Sequence, residues 1–316
     1  MINGLIRKIQ KNDRRAIARA MSLLENGAPE ARELLQSLYR HTGNAYRIGI
    51  TGPPGAGKST LTAQIINLLR KEGKKIGVVA VDPTSPFSGG AVLGDRVRMS
   101  RFANDPDVFI RSMASRGSMG GLAHRAQDVA DVLDAAGKDY VVFETVGVGQ
   151  TELDIAEAAD TTVVVLVPES GDAIQAMKAG LMEIAEVFVI NKSDREGANR
   201  LKMELSLMLQ LRIETHRKWT PPIVSTTASR GEGVEELLRQ IAAHREFLSN
   251  NGLLKERRRS RMEHKIRNLV LQELEERFWT EARQKLLQKN LTSVLSGKMS
   301  PYGLVESLFK QVSPKM

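Results

Sequence analysis

Gly52-Pro53-Pro54-Gly55-Ala56-Gly57-Lys58-Ser59 is a complete G-x-x-x-x-G-K-S phosphate loop, and its surroundings decide the fold. The spacing describes a device for holding a nucleoside triphosphate. Glycines let backbone N–H groups converge on phosphate oxygens, Lys58 reaches the β- and γ-phosphates, and the Ser59 hydroxyl can ligate Mg²⁺. Upstream, Tyr46-Arg47-Ile48-Gly49-Ile50 reads as a short buried strand. Downstream, residues 58–71, with Leu61, Ile65, Leu68 and Leu69, read as the helix whose positive N-terminus faces the phosphates. Strand, loop and helix in that order argue against a chance glycine-rich turn. The expected phosphate-binding set is Gly55, Ala56, Gly57, Lys58, Ser59 and Thr60.

Working outward, strands are predicted at 46–50, 76–81, 108–112, 140–144, 162–167, 187–190 and 223–226. They are short, rich in Val and Ile, and continuous rather than alternating, as expected when both faces of a sheet are covered. Helical patterns at 58–71, 120–136, 173–184, 197–211 and 233–246 lie between or after them. The fold class is therefore α/β, a doubly wound and mostly parallel sheet, with ligands expected beyond the carboxyl ends of its strands. Helical extensions flank it. Residues 1–42 read as an N-terminal helical segment broken at Asn26-Gly27-Ala28-Pro29, 43–247 as the P-loop domain, and 248–316 as a helical arm entered through Asn250-Asn251-Gly252. In the arm, Ile266, Leu269–Leu271, Leu274, Phe278, Ala282 and Leu286 form an apolar stripe at helical spacing. The arm has no evident second layer, so the stripe calls for cover by its own domain or by a second subunit.

The 316 residues include 46 Lys and Arg against 37 Asp and Glu, a net charge of +9 that suits acidic partners. A basic tract from Lys255 to Arg267 is interrupted by Glu256 and Glu263 and has no interleaved aromatic, so it reads as a solvated helix face rather than a nucleic-acid patch. With no cysteine, disulfide and thiolate chemistry are excluded and a reducing compartment fits. No apolar run approaches membrane-spanning length. A cytoplasmic location is expected.

The second signal is Asn191-Lys192-Ser193-Asp194, directly after the predicted strand 187–190. An Asp carboxylate accepts hydrogen bonds from guanine N1–H and N2–H₂. Adenine lacks both donors, so its binding would leave the carboxylate unpaired. The Lys192 stem can cover the base while Asn191 braces the loops. Thr227, Ala228 and Ser229 follow another strand and are candidates for backbone contact with guanine O6. Three carboxylates are placed to handle Mg²⁺ and water: Asp82 and Glu144 at strand ends, and Asp95 in a glycine-rich loop. Mg²⁺ prefers octahedral oxygen ligands and usually keeps waters. Gly147 is the expected γ-phosphate contact of a switch loop. The next residue is Val148, which cannot orient water as a Gln could. Hydrolysis should be slow unless Gln150 or a partner-dependent group completes the site.

The chain resembles the MeaB/ArgK-type G proteins, GTPase chaperones of adenosylcobalamin-dependent methylmalonyl-CoA mutase. Nearly the whole length is covered. The matching stretches are Gly52–Ser59, Val81-Asp82-Pro83-Thr84-Ser85, Gly94-Asp95-Arg96-Val97-Arg98-Met99, Arg111-Ser112-Met113-Ala114-Ser115-Arg116-Gly117, Glu144-Thr145-Val146-Gly147-Val148-Gly149-Gln150 and Asn191–Asp194. The resemblance implies GTP and GDP as ligands, with Lys58 and Ser59 on phosphate and Mg²⁺. It puts Asp82, Asp95 and Glu144 in the metal and switch network, and Asn191, Lys192 and Asp194 on guanine. It further implies a homodimer joined through the C-terminal helices and, as partner, methylmalonyl-CoA mutase or a related acyl-CoA mutase. The mutase would be protected, have its cofactor loading gated, and accelerate GTP hydrolysis. Lys58 and Glu144 are the expected catalytic groups, joined by Lys178 in the segment 168–180 that the family uses for acceleration. Arg98, Arg111 and Arg116 read either as phosphate or switch contacts or as loop clamps.

Three other classes compete. A metal-insertion GTPase for nickel enzymes needs soft or imidazole ligands, and this chain has no Cys and five scattered His. A small-molecule kinase or transport ATPase would prefer adenine, against Asp194. A nucleic-acid-binding GTPase rests only on the basic tract, and would show salt-sensitive RNA binding.

Overall fold

Tyr46-Arg47-Ile48-Gly49-Ile50-Thr51 is buried at every position, because apolar layers cover both faces of the strand it forms, β1 (Tyr46–Thr51). The computed structural model describes residues 2–83, 99–115, 121–145, 151–168, 180–212 and 219–310. Within them, β1 lies mid-sheet with β2 (Ile76–Pro83), β3 (Val108–Ser115), β4 (Tyr140–Thr145), β5 (Thr161–Leu166), β6 (Val187–Asn191) and β7 (Ile223–Thr226). The strand order is β3-β2-β4-β1-β5-β6-β7. Every pairing is parallel, with Ile50 beside Glu144 on one flank and Val163 on the other. All seven strands fall where the continuous apolar runs predicted them.

Side chains alternate between two buried layers. Ile48, Ile50, Val163, Val165, Val187 and Val189 pack with helix α4 (Lys58–Lys71) and a later helix, Val234–Asn250. On the other face, Val79, Val141 and Phe143 meet α1 (Ile2–Gln10), α2 (Arg14–Glu25), α3 (Pro29–Leu38), α5 (Gly121–Ala135) and α6 (Thr151–Ala158). Val164, Leu166, Phe188 and Ile190 meet α7 (Ala198–Arg212). Only a single turn, Met182–Ile184, represents the predicted helix 173–184, whose earlier part lies outside the described residues.

The N-terminal helices carry a break that the sequence reading missed. Asn12 adopts φ 60° and Asp13 caps α2, its carboxylate accepting from the Ala16 N–H at 2.7 Å. Arg14 then donates to the carbonyls of Asp105 (2.6 Å) and Val108 (3.0 Å), and Arg111 of β3 pairs with Glu25 of α2 at 2.5 Å. Arg111 is thus a clamp between sheet and helix layer. Arg98 and Arg116 lie outside the described residues.

Helix α8 (Val234–Asn250) brings a polar network to the sheet's amino edge. Tyr46 and Thr161 share a 2.5 Å hydroxyl–hydroxyl hydrogen bond, and the Thr161 hydroxyl lies 2.8 Å from His244 Nδ1. Next to it, the fully buried Asp160 accepts from the Arg47 N–H (3.0 Å) and pairs with Arg258 (2.9 Å). Arg257 pairs with Glu186 at 2.7 Å. Arg257 and Arg258 open α9 (Leu253–Phe278), so this part of the basic tract is anchored rather than a solvated face.

The chain divides into two compact units, Met1–Arg258 and Arg259–Met316. In the second, the predicted stripe does not run on one helix. It is interrupted at Trp279–Thr280, where Thr280 caps α10 (Glu281–Leu295) by accepting from Arg283 N. The arm also has a second layer, contrary to the sequence reading. Helix α11 (Pro301–Lys310) packs on α10, and the Phe309 ring meets that of Phe278 at a tilt of 41° with centroids 4.7 Å apart. Ile266, Leu269, Leu271 and Leu274 remain exposed.

Burial, reinforced by the Arg257 guanidinium and opposed by Asp160, pulls His244 from 6.5 to about 3. The unfolded chain therefore takes up a proton near pH 6.5 that the folded one refuses until about pH 3. The resulting stability is present above pH 6.5 and lost as pH falls toward 3. In urea denaturation across that range, His244→Gln should flatten this acid loss. An unchanged slope would remove His244 as its source.

Candidate nucleotide site

The phosphate loop joins the carboxyl end of β1 to α4, and its first glycine is required by packing. Gly52 has φ 136°, and a Cβ there would stand 2.0 Å from the Val165 carbonyl oxygen of β5. Gly57 has φ 86°, and a Cβ there would meet Asn191 Nδ2 at 2.4 Å. Neither position accommodates a side chain. Each brings the loop backbone close to a neighbouring strand or its exit loop.

Lys58 is buried, and its ammonium donates to the carbonyls of Gly52 (2.8 Å) and Pro53 (2.9 Å). It lies across its own loop. Ser59, also buried, hydrogen-bonds through its hydroxyl to the carboxylate of Glu144, itself only 2 % exposed at the end of β4. Thr60 follows half-buried, and Gly55 is exposed at the loop's tip. Asp82 is the penultimate residue of β2, two strands from β1, its backbone paired with Ala114. Its side chain, like Asp95, Gly147, Val148, Gln150 and Lys178, lies outside the described residues.

Asn191 ends β6 and joins the two expected halves of the site. Its Nδ2 donates to the Ala56 carbonyl at 2.7 Å, and its Oδ1 accepts from the Thr226 hydroxyl (3.0 Å) and the Ala228 N–H (3.1 Å). The phosphate loop, the β6 exit and the β7 exit are thereby tied together. Lys192 follows with φ 55°, a turn that carries the chain to Ser193, whose N–H donates to Thr226 O at 3.0 Å. Asp194 is exposed, and its carboxylate has no hydrogen-bond partner among the described residues. The N–H groups of Thr227 and Ala228 are both engaged, on Glu232 O (3.0 Å) and Asn191. That leaves Ser229 as the first amide of this stretch without a described acceptor.

Sequence reading missed Gln64, whose Nε2 donates to Ala228 O at 3.1 Å and so supports the β7 exit from α4. No motif marks it; only its helical offset from Lys58 and Ser59 hinted at this face. Among the described residues no group of three or more His, Cys, Asp or Glu stands together. The Ser59–Glu144 pair supplies only oxygen donors, which fits a hard cation that completes its shell with phosphate and water.

The family model described as "Methylmalonyl Co-A mutase-associated GTPase MeaB" matches residues 17–283. The chain belongs to the MeaB family of GTPases. A Pyrococcus abyssi relative carrying the name GTPase is 49 % identical over 99 % of this chain and 97 % of its own. The GTPase ArgK of Escherichia coli is 34 % identical over 94 % of this chain and 92 % of its own. A mouse relative named methylmalonic aciduria type A homolog, mitochondrial, is 31 % identical over 98 % of this chain and 79 % of its own. A crystal structure described as an LAO/AO transport system kinase superposes with a TM-score of 0.73 at 27 % identity, covering 99 % of this chain and 98 % of that one. MeaB membership agrees with the P-loop sheet, and the expected α/β class holds. No helix among the described residues is long and apolar enough to cross a membrane.

Asn191→Ala removes three hydrogen bonds and orphans buried backbone groups on two loops. At about 1 kcal/mol per bond, unfolding stability should fall by about 3 kcal/mol. Guanine-nucleotide affinity should fall as well, because the halves lose their tie. Calorimetric melting and nucleotide titration of the variant check both, and unchanged nucleotide affinity would show that the tie is dispensable for the site.

Proposed function

We propose that this MeaB-family protein binds GTP with Mg²⁺, hydrolyses it slowly alone and faster with a partner, and chaperones a cobalamin-dependent acyl-CoA mutase. The observation that carries the nucleotide reading is Asn191, which fastens the Asn191–Asp194 loop directly onto the phosphate loop. A base held at Asp194 and a triphosphate held at Gly55–Thr60 thus fall on one continuous surface.

The roles follow from chemistry. Lys58 exchanges its two loop carbonyls for β- and γ-phosphate oxygens, holding the triphosphate and offsetting charge as the γ-phosphoryl leaves. Ser59, with Glu144 and with Asp82 or Asp95, would hold Mg²⁺, which when bound neutralises charge on the phosphates. Asp194 accepts from guanine N1–H and N2–H₂, Lys192 covers the ring, and the Ser229 amide faces O6. Glu144, buried beside Ser59, orients the hydroxyl in the site. Gly147 would contact the γ-phosphate. With Val148 where a water-orienting Gln could stand, Lys178 is the residue proposed to complete the site when a partner binds.

The mutase assignment is supported by the family's own description, whose model matches residues 17–283, and by the name of the mouse relative. The exposed Ile266, Leu269, Leu271 and Leu274 support dimerisation through the C-terminal helices, since such a face is covered in solution. The absence of cysteine supports a reducing, cytoplasmic location.

Asp194→Asn replaces an acceptor with a donor opposite N1–H, so GTP binding should weaken by roughly tenfold to a hundredfold while the phosphate site stays intact. Calorimetry with GTP, GDP and ATP decides this; preference for ATP in the native protein would overturn the guanine reading. Lys178→Ala should lower partner-stimulated hydrolysis more than basal hydrolysis, and equal effects would return Lys178 to the surface. For the client, affinity capture with and without a non-hydrolysable GTP analogue should recover a cobalamin mutase subunit. Its absence in both arms would remove that assignment and leave the GTPase intact.

A further inference from the structure

The amino edge of the sheet, opposite the nucleotide loops, holds a cleft of about 760 Å³ lined by Arg40, Lys74, Lys138 and Arg245. Its walls come from the segments that enter strands. Asn44 precedes β1, Lys74 precedes β2, and Asp139 leads into Tyr140 of β4, while Arg245 reaches in from α8. The six residues of β1 at about 3.3 Å each separate it from the phosphate loop by roughly 20 Å.

The two carboxylates in the lining are already engaged by backbone. Asp134 accepts from the N–H groups of Gly43 (2.7 Å), Asn44 (3.2 Å) and Ala45 (3.0 Å), and Asp139 accepts from Lys75 N–H at 2.7 Å. The cations outnumber these carboxylates. Among the described residues, none of the four forms a salt bridge. Arg40 bonds only the neighbouring His41 ring at 3.0 Å, and Lys138 donates to the Asp107 carbonyl at 2.9 Å. Arg245 lies over the Tyr46 ring at 4.9 Å and reaches the Tyr140 hydroxyl at 3.4 Å. Lys138 is only 2 % exposed; burial lowers its ammonium to about 8, opposed in part by the Asp107 carboxylate and reinforced by Arg14, Lys75 and Arg70.

A second cleft of about 380 Å³ shares Tyr140 and Arg245 with the first; Tyr46, Leu68, Leu238 and Ile241 give it an apolar wall, rimmed by Lys71, Glu72, Glu235 and Arg239. Convergent cations beside an apolar wall are the features of a small-molecule site. With Arg40, Lys74, Lys138 and Arg245 against Asp134 and Asp139, the lining keeps an excess of positive charge, which raises the local concentration of anions.

We propose that these adjacent clefts bind a small organic anion, its charged end between Arg40 and Lys74 and its apolar end against Leu68 and Leu238. The shared chemistry is a multivalent anionic head on an apolar body, either a phosphate monoester or a dicarboxylate. The site is separate from the phosphate loop and does not depend on the nucleotide reading.

Titration calorimetry with phenyl phosphate and with benzylsuccinate tests it, inorganic phosphate serving as reference. At least one organic probe should bind the native protein with submillimolar affinity. Arg40→Ala with Lys74→Ala should weaken that probe by about tenfold or more, whereas Arg200→Ala with Lys202→Ala, exposed cations of α7, should not. Because both variants keep the phosphate loop, any binding there is common to both. Preference for phenyl phosphate assigns a phosphate ester, and preference for benzylsuccinate a dicarboxylate. No heat from either probe, heat unaffected by losing Arg40 and Lys74, or a cleft-dependent affinity for inorganic phosphate equal to that of the organic probes would overturn the proposal.

Discussion

The side chain of Asn191 is the interaction on which the nucleotide site depends. Three loops leave the carboxyl ends of β1, β6 and β7, and nothing in a parallel ladder fixes loops beyond the last paired residue. One buried amide does so by donating to Ala56 and accepting from Thr226 and Ala228. Only an amide carries donor and acceptor on one planar group of this size. A carboxylate would lack the donor for Ala56, and an aliphatic residue would strand buried polar groups. Gly57 belongs to the same constraint, because any side chain there would collide with the Asn191 amide.

At the other edge, a buried charge pair does comparable work for the helical extension. Asp160 is fully buried where β5 begins, and its partner Arg258 lies in the first turns of α9. Arg258 also donates to the carbonyls of Gly43 (2.5 Å) and Ala45 (3.0 Å), so one guanidinium closes the entry to β1 as well. Breaking such a pair leaves a buried carboxylate without its counter-charge, which costs far more than losing a surface ion pair. The start of α9 is therefore fixed by the same residues that start β1 and β5, within the Met1–Arg258 unit.

The strands were legible because burial on both faces writes them as unbroken Val and Ile runs, of which Val163-Val164-Val165-Leu166 is the clearest. The strand–loop–helix around Gly52–Ser59 was legible because its glycines and the flanking apolar runs stand at fixed spacing. Helix breaks were harder. Asn12-Asp13 and Trp279-Thr280 interrupt patterns whose apolar spacing nearly continues across them, and only a cap residue marks each stop. The network of Tyr46, Thr161 and His244 carried no signal at all. Its members lie 115 and 83 positions apart, and each alone reads as an ordinary core residue. The double use of Arg257 and Arg258 was hidden by the charge run that contains them.

The geometry also bears on how binding energy is used. Lys58 and Ser59 each make intramolecular bonds, to Gly52, Pro53 and Glu144. A triphosphate with its cation must exchange these contacts rather than fill unmet ones, so the net gain is the difference between two sets of polar interactions. On the proposed reading the new set would win, because it places several negative charges against the ammonium and the α4 N-terminus in a buried setting. A neutral or singly charged ligand offers no such surplus. On that reading the loop would discriminate by charge and the Asn191–Asp194 stretch by base, with the Asn191 amide tying the two together.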